Sequence, residues 1–168
     1  MSMTDTAPAT PEVTTHHHQF DVVIVGAGPA GLGAALRAKE LGRTAVVLEA
    51  ERLAMTVQNM YEGKEIFAEP HGVDNKSNLW FEECTRETLL EKWEAQVEDE
   101  GLDIRTHEKV TNVTRKGDHF VVTSEKDEYK ARRVLVAMGK SGNPRKAGVK
   151  GESEFADKLH HNLSSPTA

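Results

Sequence analysis

Residues 21–35 read DVVIVGAGPAGLGAA, and no other stretch of the chain limits its fold so tightly. The run from Phe20 to Val25 is apolar and rich in β-branched residues, so it predicts a buried strand. It leads directly into Gly26-x-Gly28-x-x-Gly31. From Pro29 to Leu41 the chain reads as a helix, with Leu32, Leu36 and Ala34, Ala35 and Ala38 as its packing face. Proline is tolerated in a first helical turn because the N–H it lacks would have no partner there. Gly42 stops the helix, and TAVVLE, from Thr44 to Glu49, predicts a second buried strand. Strand, helix and strand in this order form a βαβ unit, whose strands are parallel and whose crossover is right-handed.

The three glycines have separate physical roles in such a turn. Gly26 permits the tight bend, Gly28 lets the backbone approach a pyrophosphate, and Gly31 allows the helix to lie close against the strand. The helix start then offers free N–H groups and the positive end of its dipole to phosphate. Glu49 follows 23 residues after Gly26, at the tip of the second strand. A carboxylate there accepts hydrogen bonds from both ribose hydroxyls of an adenosine and repels a 2′-phosphate. Fingerprint, flanking elements and acid together predict an adenine dinucleotide, with FAD and NAD both open.

The remainder is less uniform. Residues 1–19 are rich in threonine, proline and alanine and predict a disordered tail, with His16, His17 and His18 in it. Residues 50–84 show no clean period and read as a long irregular connection, although Tyr61, Phe67, Trp80 and Phe81 argue against disorder. Thr85 reads as the N-cap of an amphipathic helix from about 86 to 100, with Leu89, Trp93 and Val97 on one face and Glu87, Glu91, Glu94 and Glu98 on the solvated one. LDIRT, from Leu102 to Thr106, alternates as a strand. Val110 to Thr114, Phe120 to Thr123 and Glu128 to Ala131 predict a small antiparallel meander, and Val134 to Ala137 a third parallel strand. The adjacent His160 and His161 point to different faces and read as surface residues, so no metal site is predicted.

Composition narrows the function. At 168 residues the chain is about one domain, and its net charge of -6 argues against non-specific nucleic-acid binding. No apolar run approaches the roughly 20 residues that span a bilayer. The single cysteine, Cys84, cannot form an internal disulfide, so a cytoplasmic setting is expected. Cys84 stands beside a helix start, where the dipole lowers a thiol pKa, but a small buried filler is the favoured reading. No GxSxG, HExxH or CxxC occurs.

Three stretches resemble the FAD-binding N-terminal part of the pyridine nucleotide-disulfide oxidoreductases, in particular the thioredoxin reductase-like flavoproteins. They are VVIVGAGPAGLGAA with VVLE, the meander at 110–131, and VLVAMGKSGNPR at 134–145, where Met138 stands in place of the family's usual threonine. The resemblance covers about 20 to 155 and implies an α/β, Rossmann-like FAD-binding domain with a βαβ unit and a small antiparallel meander, followed by a linker or tail at 156–168. It implies that Gly26, Gly28, Pro29, Ala30 and Gly31 cradle the FAD pyrophosphate, that Glu49 holds the adenosine ribose, that Val110 meets the adenine through its backbone, and that Gly139 lets the chain pass close to the cofactor.

The same resemblance defines what this chain lacks. Residues 50–83 contain no cysteine, which excludes the glutathione reductase type of redox pair at that place. The family's glycine pair after the ribose acid is absent from AERLAMT, and Gly117-Asp118 falls in a hairpin turn. No second glycine fingerprint for NAD(P)H is present, so NAD(P)H is expected only with a second domain. The expectation is an FAD-dependent, NAD(P)H-linked oxidoreductase or its N-terminal FAD-binding portion. A flavin monooxygenase-like enzyme and a non-catalytic dinucleotide-binding module are the alternatives. Catalytic residues stay unassigned, and the partner is a small-molecule or protein oxidant, with a homodimer or covering chain over an open sheet edge.

Overall fold

The structure is a computed structural model that describes residues 18–68, 75–139 and 148–158. The readings for residues 1–17, for 140–147 and for His160 and His161 lie outside these residues. The elements in chain order are β1 (His18–Val25), α1 (Pro29–Glu40), β2 (Ala45–Leu48), α2 (Met55–Gln58), β3 (Glu65–Ile66), β4 (Cys84–Thr85), α3 (Arg86–Asp99), β5 (Ile104–Arg105), β6 (Val110–Lys116), β7 (His119–Ser124) and β8 (Glu128–Val136), with a short 3-10 helix at Ala156–Lys158. The main sheet has six strands in the order β5-β2-β1-β8-β7-β6, and β3 pairs with β4 separately.

The fold is α/β, as the sequence predicts. Strands β5, β2, β1 and β8 are parallel, and β7 and β6 add antiparallel. The central strands bury both faces, which accounts for their unbroken apolar runs. On one face Ile24 and Val47 meet Ala35 of α1, while on the other Val23, Val46 and Leu48 join Val122, Tyr129 and Ala131 of the meander. Helix α1 turns Gly31, Leu32, Ala35, Leu36 and Ala38 inward.

Two predictions are corrected. His18 and Gln19, read as the end of a disordered tail, belong to β1, where they pair with Tyr129 and Lys130 of β8. Glu128 to Ala131 and Val134 to Ala137 are not two strands: a single strand, β8, runs through Arg132 and Arg133. It pairs antiparallel with β7 over residues 128–131 and parallel with β1 as far as Val136. Two-residue alternation breaks in its middle, since Tyr129, Ala131 and Val134 share one core cluster; β1 does the same with Phe20 and Val23. Both strands therefore switch faces beside Asp21 and Arg132, whose side chains lie 3.8 Å apart. There the meander bends back over the sheet, and Arg105 of β5 reaches across to bond Tyr129 of β8 at 2.9 Å. Beyond Ala131 the outer edge of β8 has no strand beside it among the described residues, and Leu135, Val136 and Met138 are exposed there.

The described parts of the connection, residues 50–68 and 75–84, are bolted to α3 rather than loose. Thr85 caps that helix by accepting from the Thr88 amide at 3.4 Å. Trp93 is buried with Leu89, Leu32, Ala54 and Val57, and its indole N–H donates to the Trp80 carbonyl at 2.8 Å. Gln96 accepts from the Trp80 amide at 3.0 Å and donates to the Asn78 carbonyl at 2.6 Å. Leu89 and Trp93, each 1% exposed, contribute about 2 kcal/mol of transfer free energy apiece, and with the bonds to Asn78 and Trp80 they fix the path of this segment along α3.

Candidate dinucleotide site

The site forms at the carboxyl ends of β1 and β2, where α1 begins. Gly26 adopts φ +105, a conformation hostile to side chains, and a Cβ there would lie 2.6 Å from the Ala137 carbonyl oxygen. A Cβ on Gly31 would come within 1.9 Å of the Gly26 carbonyl oxygen. Both glycines thus serve the protein's own packing: one lets Ala137 and Met138 cross the turn, the other seats the helix. Gly28 differs. Its backbone is extended, at φ -81 and ψ -175, and nothing lies within 4 Å of the position a Cβ would take. The space beside Gly28 is the space a ligand would need.

The amides around it suit an anion. No side chain caps α1, its first turn carries no acid, and Pro29 has no N–H to offer. Ala30 and Gly31 follow at the helix start. Ala27 is otherwise engaged, since its amide donates to Glu49 Oε2 at 2.7 Å. Glu49 Oε1 accepts from the Glu51 amide at 2.9 Å. The carboxylate of Glu49 therefore clasps the glycine turn to the loop after β2. Each oxygen has two acceptor positions, so two remain for a ribose diol. The residues present fit an adenine dinucleotide: amides for the diphosphate, an open face at Gly28, and a fixed carboxylate at ribose distance in the chain.

Two further segments are fastened to this strand tip. The Ala54 amide donates to the Ala27 carbonyl at 2.9 Å, with Ala54 buried at φ 51. This is the left-handed conformation for which a glycine is suited, and alanine holds it at about 1 kcal/mol of strain. On the other side the His107 amide donates to the Glu51 carbonyl and the Glu108 amide to the Glu49 carbonyl, at 2.9 and 2.8 Å. His107 is likewise left-handed, at φ 53. These bonds hold Glu108 against Glu49, two residues before Val110, the first residue of β6; the Val110 side chain packs against the core cluster of Val23 and Leu48. Gly139 stands two residues past Ala137 at φ +67, with open space around it.

Cys84 does not have the environment of a reactive thiol. Burial pushes its pKa up, and nearby Glu82 adds to the effect. It pairs with Ile66 and packs against the Trp93 cluster, the filler role. Among the described residues no group of three or more His, Cys, Asp or Glu side chains could hold a metal ion, and no helix is long and apolar enough to cross a membrane. The sequence reading missed the clasp made by Glu49 and the buried carboxylate of Glu108, because neither bond pattern leaves a periodic trace.

Fold and turn together define an α/β protein whose glycine turn suits a dinucleotide. Residues 23–167 match the family model described as pyridine nucleotide-disulphide oxidoreductase, and the chain belongs to that family. It is 32% identical over 149 residues to a ferredoxin–NADP reductase of Ignicoccus hospitalis, covering 88% of this chain and 45% of that one. It is 31% identical over 139 residues to a thioredoxin reductase of Peptoclostridium acidaminophilum, covering 83% and 40%. The bacillithiol disulfide reductase Bdr of Bacillus cereus shares the fold, with a TM-score of 0.72 at 24% identity over 88% of this chain and 47% of that one. The chain thus spans a little under half the length of these relatives.

Proposed function

We propose that this chain is the FAD-binding portion of an FAD-dependent, NAD(P)H-linked oxidoreductase of the thioredoxin reductase-like kind. The observation that carries the reading is the open face of Gly28, set between a helix start without a cap and the clasped carboxylate of Glu49. The amides of Ala30 and Gly31 bind the diphosphate, Gly26, Gly28 and Pro29 shape the turn around it, and Glu49 orients the adenosine ribose. Val110 supplies backbone groups to the adenine, and Gly139 lets the chain pass close to the cofactor. Bound there, FAD would supply the hydride-accepting and electron-transferring chemistry between NAD(P)H and a small-molecule or protein acceptor. The nicotinamide site belongs to a second dinucleotide domain, in keeping with relatives about twice as long. The exposed edge of β8 at residues 132–136 supports a covering chain there, from that domain or from a partner.

FAD titration of the purified chain, read by quenching of flavin fluorescence, tests this with the variant Gly28→Val. Valine fits the extended backbone and the empty space, so the urea midpoint should stay at the wild-type value while FAD affinity falls at least tenfold. Equal affinity of variant and wild type would refute the seat at Gly28. A protein that binds neither FAD nor ADP would refute the dinucleotide reading, and one that retains ADP alone would support a non-catalytic module.

A further inference from the structure

Four side chains form a polar knot inside the meander. Glu108 is 5% exposed, Ser124 7% and Tyr129 0%. The Ser124 hydroxyl donates to Glu108 Oε1 at 2.8 Å, and the Tyr129 hydroxyl donates to the same oxygen. Arg105 Nη1 in turn donates to the Tyr129 hydroxyl at 2.9 Å, with its guanidinium 5.1 Å from the ring centre. A carboxylate is rarely taken this deep unless it is fully partnered. A surface acid would serve a hairpin as well, so the burial calls for a reason beyond local folding.

The reason lies in the backbone of the same residue. The Glu108 amide is bonded to the carbonyl of Glu49, and the preceding amide, of His107, to the carbonyl of Glu51. The Glu49 carboxylate holds the Ala27 amide of the glycine turn. A continuous run of bonds thus leads from the buried oxygen of Glu108 to the turn. His107 is held in a left-handed conformation at the corner between them. Such an outlier persists where its surroundings dictate the path of the chain.

We infer that Glu108 is a positioning residue for the adenosine end of the dinucleotide: anchored by Tyr129 and Ser124, it holds the corner at residues 107–110 against the strand tip that carries Glu49. This rests on the dinucleotide reading above. Glu108 does not touch the ligand; it sets where the groups that do so stand.

ADP titration by calorimetry on the full chain tests the assignment. Glu108→Ala and Tyr129→Phe should each weaken ADP binding about tenfold. Glu108→Gln should recover to within about threefold of wild type, because both donors converge on one oxygen that an amide also supplies. Val122→Ala, in the same core cluster but outside the knot, serves as the control: it lowers the urea midpoint and leaves ADP affinity unchanged. If the control weakens ADP as much as Tyr129→Phe does, the effect is general loosening and the inference fails. It also fails if wild type binds ADP and the knot variants bind it equally well. If wild type binds neither ADP nor FAD, the reading of the glycine turn fails first and takes the inference with it.

Discussion

Replacing Glu49 by glutamine separates the two jobs assigned to that carboxylate. In the folded chain its oxygens accept the Ala27 amide at 2.7 Å and the Glu51 amide at 2.9 Å. Hydrogen bonds to a charged acceptor contribute about 1.5–3 kcal/mol each, against about 1 kcal/mol for a neutral pair. Glutamine keeps one oxygen and turns an NH2 toward the other amide, donor against donor. One charge-assisted bond is lost and the other is downgraded, a range of about 2–5 kcal/mol. Glu49 is only partly buried, so water reaches the abandoned amide and the lower end applies, about 2 kcal/mol. For a chain of this size that lowers the melting temperature by about 4–8 °C. It moves a urea midpoint by about 1 M at a slope near 2 kcal/mol per molar. Trp93 of α3 and Trp80, packed against it, report the transition by fluorescence. The same variant is then titrated with FAD. Loss of stability with loss of affinity supports clasp and ribose ligand together. Loss of stability with wild-type affinity leaves the clasp and removes Glu49 from the ribose. An unchanged urea midpoint would refute the clasp, and with it the account of how the turn is held.

Gly31→Ala should behave opposite to Gly28→Val. Its Cβ would lie 1.9 Å from a backbone oxygen, so α1 must move away from β1; a loss of about 3 kcal/mol is expected in chemical denaturation. Wild-type stability in Gly31→Ala would contradict the close seating of the helix. Tyr129 gives the pH dependence. Burial first, and then its bond to Glu108, pushes its pKa from 10.0 up to about 12. The folded chain favours the neutral phenol, so this contribution is whole below pH 10 and drains away as pH rises through 12. Urea midpoints taken between those limits should fall more steeply for wild type than for Tyr129→Phe; parallel slopes would place the phenol outside the buried knot.

How much of this was legible in the sequence depends on the range of the interactions involved. The βαβ unit was plain because everything that specifies it is local: β-branched runs, glycines at fixed offsets, a proline at the first turn, an acid at the next strand tip. The roles of Gly26 and Gly31 could be named from spacing, but not what each glycine avoids. That is the Ala137 carbonyl in one case, more than a hundred residues along the chain, and the Gly26 carbonyl in the other. The hairpin at Gly117 was equally local, and it stands at φ +64 in the turn between β6 and β7. Strand β8 was misread because Arg132 and Arg133 interrupt its apolar pattern. A charged pair in mid-strand makes sense only where the strand changes faces, and that change is imposed by β1 alongside. The connection at 50–84 had no period to read, since its segments at Met60 and at 78–80 are held by Arg86, Trp93 and Gln96 of α3 rather than by a pattern of their own. Glu108 was the hardest to find. Between His107 and Lys109 it looks like any surface acid, and only the convergence of Ser124 and Tyr129 on one of its oxygens, 16 and 21 residues downstream, reveals it as the buried anchor of the corner at residues 107–110.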